Sequence, residues 1–313
     1  RISQEAAGDF KKSHRHLLEG RLAQRRYELM ERMAKEYGIA ELCEVFEASR
    51  SGYYSYLRGP ERHRHREDQM LLGHIQQAFY QNRRVYGVPR IRKELRKEGI
   101  YCGKNRIHRL MRSCGLRAQQ KRRWRPKTTQ NDPALPVAQN WLLKVPAAAA
   151  PDQIWLSDIT YLWTREGWLY LAGILDACSR YCIGWSVRED LSAELVVEAW
   201  NKACHARRPG PGLLHHSDRG SQYACTAFKA VLQNQGATAS MSRKGNCYDN
   251  AMMESFWATL KTECFGSYVP KTKKEAVAMI FDYIEAFYNT TRMHSSLNDQ
   301  SPLEFENQLN YKN

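Results

Sequence analysis

Three carboxylates lie in apolar surroundings, where ionised side chains are unusual. Asp158 lies inside the run IWLSDITYL, where an unpaired charge is costly to bury. Asp218 follows the short run LLHHS at the predicted carboxyl end of a strand, where α/β sheets place their chemistry. Glu254 lies in AMMESFW on a predicted helix. If the three converge, their oxygen atoms suit Mg²⁺ or Mn²⁺, and two such ions about 4 Å apart would support phosphoryl transfer.

The same residues allow other interpretations. In HHSDRGSQY, His215 and His216 stand beside Asp218, which could suggest a zinc site. Successive side chains on a strand point to opposite faces, and no His or Cys follows at ligand spacing, so the pattern disfavours zinc. Asp158 could instead cap a turn or pair with an arginine, and Asp176 in ILDAC is a competing carboxylate at a strand end.

A predicted mixed sheet has to position these carboxylates. Three apolar runs separated by TREG and CSR turns predict an antiparallel meander, at 154–163, 168–177 and 181–187. Helices and strands then alternate, with a helix over 192–207, a strand over 213–217, a helix around 221–235, a strand over 237–242 and a long helix over 250–264. This order predicts an α/β domain with the ribonuclease-H-like architecture.

The first half of the chain carries the basic excess. Residues 1–150 contain 32 Lys and Arg against 15 Asp and Glu, whereas residues 151–313 contain 16 against 18. Such an uneven distribution is typical of a module that neutralises the phosphates of nucleic acid.

Two helix-turn-helix units are predicted in this basic half. The first, at about 38–58, has Ser49 as the cap of its second helix. The second, at about 70–117, joins a helix over 88–99 to a basic helix over 105–116, as a reader of the major groove would. The residues expected to face outward and bind DNA are Lys104, Arg106, Arg109 and Arg112. The tail AQQKRRWRPK adds Arg122, Arg123 and Arg125 as further DNA-binding cations.

The predicted domain order is an all-α helix-turn-helix region followed by the α/β domain. A charged N-terminal helix occupies 1–35, the helix-turn-helix DNA-binding region 36–127, a linker rich in Pro and Ala 128–150, the catalytic core 151–266 and a helical C-terminal extension 267–313. The linker is expected to hold one short helix over 137–144. No apolar run reaches the roughly 18 residues that a membrane span requires, and the nine cysteines form no CxxC pair. We therefore expect a cytoplasmic protein with reduced thiols and no membrane partner.

Several longer stretches give the chain a specific resemblance. They are IWLSDITYL, LDACSRYCIGW, HHSDRGSQY, SMSRKGNCYDNAMMESFWATLKTE and YNTTRMHSSLNDQSPLEF, together with VYGVPRI and LRKEGI. With them, the chain resembles over most of residues 36–306 the DDE transposases of bacterial insertion sequences, relatives of the retroviral integrases, and more narrowly insertion-sequence family three. The spacing agrees, since 35 residues separate Asp218 from Glu254 and Lys261 follows Glu254 by seven.

The resemblance implies a role for each matching residue. Asp158, Asp218 and Glu254 would hold two Mg²⁺ or Mn²⁺ ions, and Lys261 would contact the DNA end near the scissile phosphate. The loop before the last helix would shape the active site or touch DNA through Arg243, Lys244, Asn246, Tyr248 and Asn250. A helix-capping role is favoured for Asp249 in the same loop, and Asp176 is expected to be structural.

The resemblance also implies an activity and partners. The chain would bind the terminal inverted repeats of its element and target DNA, as a homo-oligomer of at least two copies. It would nick DNA with water and join the freed 3′-OH to another phosphodiester, and in a bacterial cytoplasm it would be associated with the nucleoid when bound to DNA. Two rivals are a catalytically silent DNA-binding protein and a ribonuclease-H-type nuclease. The three carboxylates argue against the first, and Lys261 with the helix-turn-helix arm argues against the second.

Overall fold

The computed structural model describes residues 22–58, 60–119, 138–243 and 250–310. The chain divides into two compact units, of which the first comprises Arg1–Ala78 and Leu95–Gly115 and the second comprises Phe79–Glu94 and Leu116–Asn313. Residues 79–94, which are expected in the helix-turn-helix region, therefore belong to the same unit as the sheet. The predicted domain boundaries follow sequence composition rather than contacts, and they stay a prediction.

The first unit is built from helices. They are α1 (Leu22–Met33), α2 (Ile39–Val45), α3 (Arg50–Arg58) and α6 (Lys104–Ser113), whereas α4 (Pro60–Gln81) and α5 (Val88–Lys97) run across the division between the units. The first three helices share a core that includes Met30, Leu42 and Tyr53. The predicted cap of α3 is confirmed, because Ser49 Oγ accepts the amide of Gly52 at 3.0 Å.

The second unit contains the predicted sheet. Its strands are β1 (Ile154–Thr164), β2 (Gly167–Asp176), β3 (Cys182–Arg188), β4 (Leu214–Ser217) and β5 (Thr238–Met241), in the order β3-β2-β1-β4-β5. The first three strands form the predicted antiparallel meander, whereas β4 is parallel to β1 and β5 is parallel to β4. This mixed sheet, with its order and directions, is the sheet expected of the ribonuclease-H-like architecture.

One face of the sheet carries the main core. Helix α7 (Ala193–Arg207) covers it, and Trp155 of β1 contacts Trp200 of α7 with ring centroids 5.4 Å apart. The helix lies very close to β3, since a Cβ added to Gly184 would lie 2.5 Å from the carbonyl oxygen of Ala199 and 2.8 Å from the Cβ of Ala203. Glycine is therefore the residue that allows this close packing.

Two local predictions are wrong. The helix predicted around 221–235 is two helices, α8 (Ser221–Ala224) and α9 (Thr226–Asn234), because Cys225 between them is extended and its side chain accepts the amide of Phe228. The described part of the short helix predicted at 137–144 is also not helical. There the amides of Trp141 and Leu142 donate to Ser240 Oγ at 2.9 and 3.4 Å, so the segment is tied to β5.

After β5, the described part of the chain is mainly helical. Helix α10 (Ala251–Leu260) continues as a π-helical turn (Lys261–Phe265), followed by α11 (Lys273–Tyr283), a second π-helical turn (Ile284–Tyr288), a 3₁₀ turn (Ser295–Leu297) and α12 (Pro302–Asn310). Among the described helices, none is both long and apolar enough to cross a membrane.

Residues 79–94 are fastened to this C-terminal part by polar contacts. Arg83 pairs with Asp282 at 2.5 Å, and Lys93 pairs with Asp299. The buried Tyr86 accepts the amide of Met293 at its hydroxyl, at 2.8 Å. These contacts explain why this segment belongs to the second unit.

The close approach of α7 to β3 gives a stability prediction. We expect Gly184→Ala to lower the free energy of unfolding by about 1–3 kcal/mol, because the new methyl group meets backbone that cannot easily move. Urea denaturation would measure the change. Gly210→Ala is the matched control, since a Cβ there meets nothing within 4 Å. Equal stabilities of the two variants would contradict the prediction.

Candidate active site

Asp158 is held by a tryptophan. The indole Nε1 of Trp257, on α10, donates to Asp158 Oδ2 at 3.1 Å. Gly173 lies directly opposite Asp158 on β2, and a Cβ added there would lie 2.6 Å from the Trp257 ring. The glycine therefore makes room for the indole. The partner of Asp158 is thus a neutral indole, rather than the arginine that the sequence also allowed.

Asp218 lies next to Asp158 because of the parallel pairing of β1 and β4. Leu156 is paired with His216, and each carboxylate comes two residues after its member of that pair. The amide of Gly220 donates to Asp218 Oδ1 at 2.9 Å. A Cβ added to Gly220 would lie 3.0 Å from the same oxygen, so the turn after β4 is shaped around this carboxylate.

The electrostatics of Asp158 show which charges are close to it. Burial is the largest cause that raises its pKa, to about 8, and the charges of Asp218 and Glu254 raise it further. The indole of Trp257 and the amide of Ile159 act in the opposite direction. Lys261 is also close, since burial lowers its pKa while the charge of Asp158 raises it. Asp218, Glu254 and Lys261, which the family resemblance identifies together with Asp158, therefore all lie within electrostatic range of Asp158.

This group of carboxylates has the chemistry of a divalent-cation site. In the described part of the chain, no three His, Cys, Asp or Glu side chains lie close enough together to enclose a metal ion. Asp158, Asp218 and Glu254 are therefore neighbours that repel one another rather than a closed cage. Their oxygen donors suit Mg²⁺ or Mn²⁺, and a divalent cation would relieve the repulsion that raises the pKa of Asp158.

The two histidines beside Asp218 have structural partners. His215 Nε2 lies 2.7 Å from Ser157 Oγ, and burial lowers its pKa to about 3. His216 lies between two hydroxyls, with Nδ1 2.9 Å from Ser240 Oγ and Nε2 3.1 Å from Ser242 Oγ. Both rings are therefore engaged within the sheet.

Asp176, the competing strand-end carboxylate, also has a structural environment. It is buried, and it accepts the amides of Asp152 at 2.7 Å and of Cys178 and Ser179 at 2.8 Å. It therefore organises the turn between β2 and β3.

Some of the residues predicted to bind DNA lie outside the described residues, and the others differ in exposure. Those outside the described residues are Arg122, Arg123, Arg125, Lys244, Asn246 and Tyr248, together with the predicted cap Asp249. Arg243, just after β5, is exposed, whereas Asn250 at the start of α10 is buried. On α6, Lys104 and Arg112 are exposed as expected.

The other two arginines of α6 form ion pairs. Arg106 Nε lies 2.6 Å and Arg109 Nη2 lies 2.7 Å from the carboxylate of Asp68 on α4, and Arg106 also contacts Glu67 at 3.2 Å. Burial would raise the pKa of Asp68, but hydrogen bonds from Arg109 and Arg106 outweigh it and hold this pKa below its usual value. Arg106, with 34% of its side chain exposed, is thus turned partly toward Asp68, and its expected contact with DNA stays a prediction.

Sequence reasoning missed two residues that shape the site. The sequence pattern marks Trp257 only as part of an apolar helix, although its indole donates to Asp158. The pattern likewise marks Gly173 only as part of an apolar strand. A glycine inside a strand often indicates a close approach of another group, and that signal is present in WLYLAGILDA.

The raised pKa of Asp158 makes stability depend on pH. Because this carboxyl ionises near pH 4 in the unfolded chain but near pH 8 in the folded one, the folded protein loses stability as pH rises between these values. Asp158→Asn keeps an acceptor for Trp257 and removes the ionisation. We expect the metal-free variant to gain at least about 1 kcal/mol over the parent at pH 8, roughly the value of one pKa unit, and much less at pH 4.

Thermal unfolding in EDTA from pH 4 to pH 9 would measure this gain. Asp190→Asn is the control, since hydrogen bonds from Arg188 and Ser192 lower the pKa of that exposed carboxyl, and its replacement should bring no gain over the same range. A difference between Asp158→Asn and the parent that stayed constant with pH would contradict the raised pKa.

Comparisons with known proteins bear on both units. Integrase core domain families match residues 148–247 and 235–302, and an HTH-like domain family matches residues 65–124. The uncharacterized 31 kDa protein of insertion element IS600 from Shigella sonnei is 44% identical over 264 residues, which cover 84% of this chain and 97% of that protein. Transposase InsF for insertion sequence IS3A from Escherichia coli (strain K12) is 36% identical over 288 residues, covering 90% of this chain and 98% of that protein.

Among solved structures, the intasome of simian T-cell lymphotropic virus in complex with a PP2A regulatory subunit matches with a TM-score of 0.44 and 15% identity, over 69% of this chain and 70% of that chain. This distant likeness adds nothing to the assignment, which rests on the sequence relatives and the integrase core families. The chain belongs to the transposases of bacterial insertion sequences, in the IS3 family.

Proposed function

We propose that this transposase binds the terminal inverted repeats of its element and cuts and joins DNA strands with Asp158, Asp218 and Glu254 as its catalytic carboxylates. One observation carries the proposal, namely that the pairing of β1 with β4 places Asp218 beside Asp158 while Trp257, three residues after Glu254 on α10, donates to Asp158. Neighbouring carboxylates that repel one another are arranged for a cation rather than for stability.

Asp158, Asp218 and Glu254 would together hold two Mg²⁺ or Mn²⁺ ions. Such ions, when bound, activate an attacking oxygen and stabilise the leaving oxygen of an in-line displacement. The protein's own contribution is orientation, because Trp257 fixes one oxygen of Asp158 and the Gly220 amide fixes one oxygen of Asp218. Lys261, beside Asp158, would contact the phosphate of the DNA end.

The proposed reaction has two steps, hydrolysis and strand joining. In the first, the oxygen of a water molecule bonds to the scissile phosphorus and the bond to the 3′ oxygen breaks, while the proton given up by the water passes to that oxygen, which leaves as a 3′-OH. In the second, the oxygen of this 3′-OH bonds to a phosphorus of target DNA, the bond to the target's 3′ oxygen breaks, and the proton of the attacking hydroxyl passes to that oxygen. Each step exchanges one phosphorus–oxygen bond for another, so no covalent link between protein and DNA is needed.

The first unit and the basic tail would hold the DNA. Lys104 and Arg112 are exposed on α6 and lie outside the Asp68 ion pairs, so we assign them to phosphate or base contacts. Arg109, with 59% of its side chain exposed, would contact DNA while paired with Asp68, whereas Arg106 would mainly hold α6 to α4. The remaining proposed contacts are Arg243, Lys244, Asn246, Tyr248 and Asn250 in the loop and Arg122, Arg123 and Arg125 in the tail. Since two element ends must be joined, we propose a homo-oligomer of at least two copies on DNA.

Replacing Glu254 tests the catalytic part of the proposal. Glu254→Gln should reduce nicking and strand joining in Mg²⁺ by more than about 100-fold. Loss of a residue that only hydrogen-bonds to a metal ligand costs up to about 100-fold, and loss of a ligand itself should cost more. Duplexes that carry the terminal repeats flanking the gene would serve as substrates, and binding should be unchanged in a gel-shift assay. Glu194→Gln, at an exposed position on α7, is the matched control.

Each other outcome of this experiment favours a named alternative. Full activity of Glu254→Gln would refute the carboxylate assignment. Tight binding without cleavage by the parent protein would favour a silent DNA-binding protein, and cutting without joining would favour a ribonuclease-H-type nuclease.

The exposed cations of α6 give a separate prediction for binding. Replacing both Lys104 and Arg112 by Ala should weaken binding to all duplexes and reduce the slope of log affinity against log salt concentration by about 0.9 for each phosphate that is no longer neutralised. Fluorescence anisotropy at several salt concentrations would measure the slope. Lys202→Ala, on α7, is the control, and an unchanged slope in the double variant would exclude α6 from binding the phosphates.

A further inference from the structure

A buried tyrosine hydroxyl lies close to the proposed catalytic carboxylates. Tyr223, on α8, is 3% exposed, and among the described residues its hydroxyl has no hydrogen-bond partner. A buried polar group without a partner lowers the stability of a folded protein, and each such group in a native structure calls for an explanation.

The position of this hydroxyl is fixed by packing. The Tyr223 ring contacts Phe228 in an edge-on arrangement at 5.4 Å and the His215 ring at 6.1 Å, both measured between ring centroids. The backbone is fixed as well, because the amide of Tyr223 donates to the Gly220 carbonyl at 3.0 Å. The hydroxyl therefore cannot reach a distant partner by a simple rotation of a loose side chain.

The surroundings of Gly220 relate Tyr223 to Asp218. A Cβ added at this glycine would lie 3.0 Å from Asp218 Oδ1 and 3.7 Å from Tyr223 Cδ2, so the carboxylate and the ring edge converge on the same point. Burial raises the pKa of the Tyr223 hydroxyl, and the charges of Asp158 and Asp218 raise it further. The convergence at Gly220 and the effect of these two charges together place Tyr223 beside the proposed catalytic carboxylates.

Packing alone does not account for a tyrosine at this position. The surrounding core is apolar and already contains Phe228, and a phenylalanine at 223 would fill the same volume without a buried hydroxyl. The hydroxyl can donate a hydrogen bond but has no acceptor in the part of the chain that the structure describes. An acceptor oxygen would be present at Asp158 and Asp218 if a hydrated cation or DNA were bound there.

We propose that the Tyr223 hydroxyl is a further active-site group, which donates a hydrogen bond to an oxygen held in front of Asp158 and Asp218 in the loaded site. That oxygen belongs either to water on a bound divalent cation or to a phosphate of the DNA, and both accept the same bond. The inference rests on the proposed function, because it needs a site that binds cations and DNA.

Tyr223→Phe tests the assignment, because it should raise the stability of the protein and lower its activity. In EDTA, the variant should melt at a higher temperature than the parent, because it lacks the unpaired hydroxyl. Strand joining in Mg²⁺ should fall about tenfold, the effect of one lost hydrogen bond. Loss of a merely structural residue would instead lower both the melting temperature and the activity.

Melting temperatures in Mg²⁺, without and with terminal-repeat DNA, identify the acceptor. If water on the cation accepts the bond, the advantage of Tyr223→Phe over the parent should shrink in Mg²⁺ alone. If a DNA phosphate accepts it, the advantage should shrink only when Mg²⁺ and DNA are both present. Tyr170→Phe, at a half-buried position on β2, is the control and should show no dependence on Mg²⁺.

Two results would overturn the inference. One is an unchanged rate of strand joining with a melting difference that is the same in all three conditions. The other is a variant that melts below the parent in EDTA, because the hydroxyl would then already have a partner. A parent protein that responds to neither Mg²⁺ nor DNA and joins no strands would refute the proposed function together with this inference, whereas a responsive parent with an unaltered variant would refute the role of Tyr223 alone.

Discussion

The repulsion between Asp158 and Asp218 is the constraint around which the second unit is organised. Parallel pairing of β1 with β4 sets the two carboxylates side by side, and burial prevents water from screening their charges. Two of the donors that orient them, the indole of Trp257 and the amide of Gly220, are neutral. These two donors fix the carboxylate oxygens without adding a positive charge.

Helix α10 has to stay in place against this repulsion, because it carries Glu254 toward the other two carboxylates. Beyond α10, in the π-helical turn, Glu263 accepts two hydrogen bonds from Arg292 at 2.6 and 2.7 Å and one from the Tyr283 hydroxyl at 2.8 Å. Both members of this ion pair are nearly buried, and breaking such a pair typically costs about 3–5 kcal/mol. Arg90 lies 3.7 Å from the same carboxylate, so residues 79–94 take part in anchoring the helix.

The sequence predicts those features that depend on local pattern. Alternating and continuous apolar runs indicate the meander, and a carboxylate inside such a run identifies Asp158. The pairs that complete the site join residues far apart in the chain, such as Trp257 with Asp158 and Arg292 with Glu263. No local pattern specifies them. Charge pattern has a similar limit on α6, since an arginine that faces solvent and one that neutralises Asp68 look alike in sequence.

The groups that are held ready for ligands in this site also lower the stability of the folded protein. A carboxylate whose ionisation is opposed by its neighbours and a tyrosine hydroxyl without an acceptor both lower the stability of the metal-free protein. In the proposed function, binding of cations and DNA would recover both costs, so that binding would be linked to stability at the same atoms. Two contacts of the same helical segment, Trp257 over Gly173 and Glu263 on Arg292, hold α10 and its carboxylate in this arrangement.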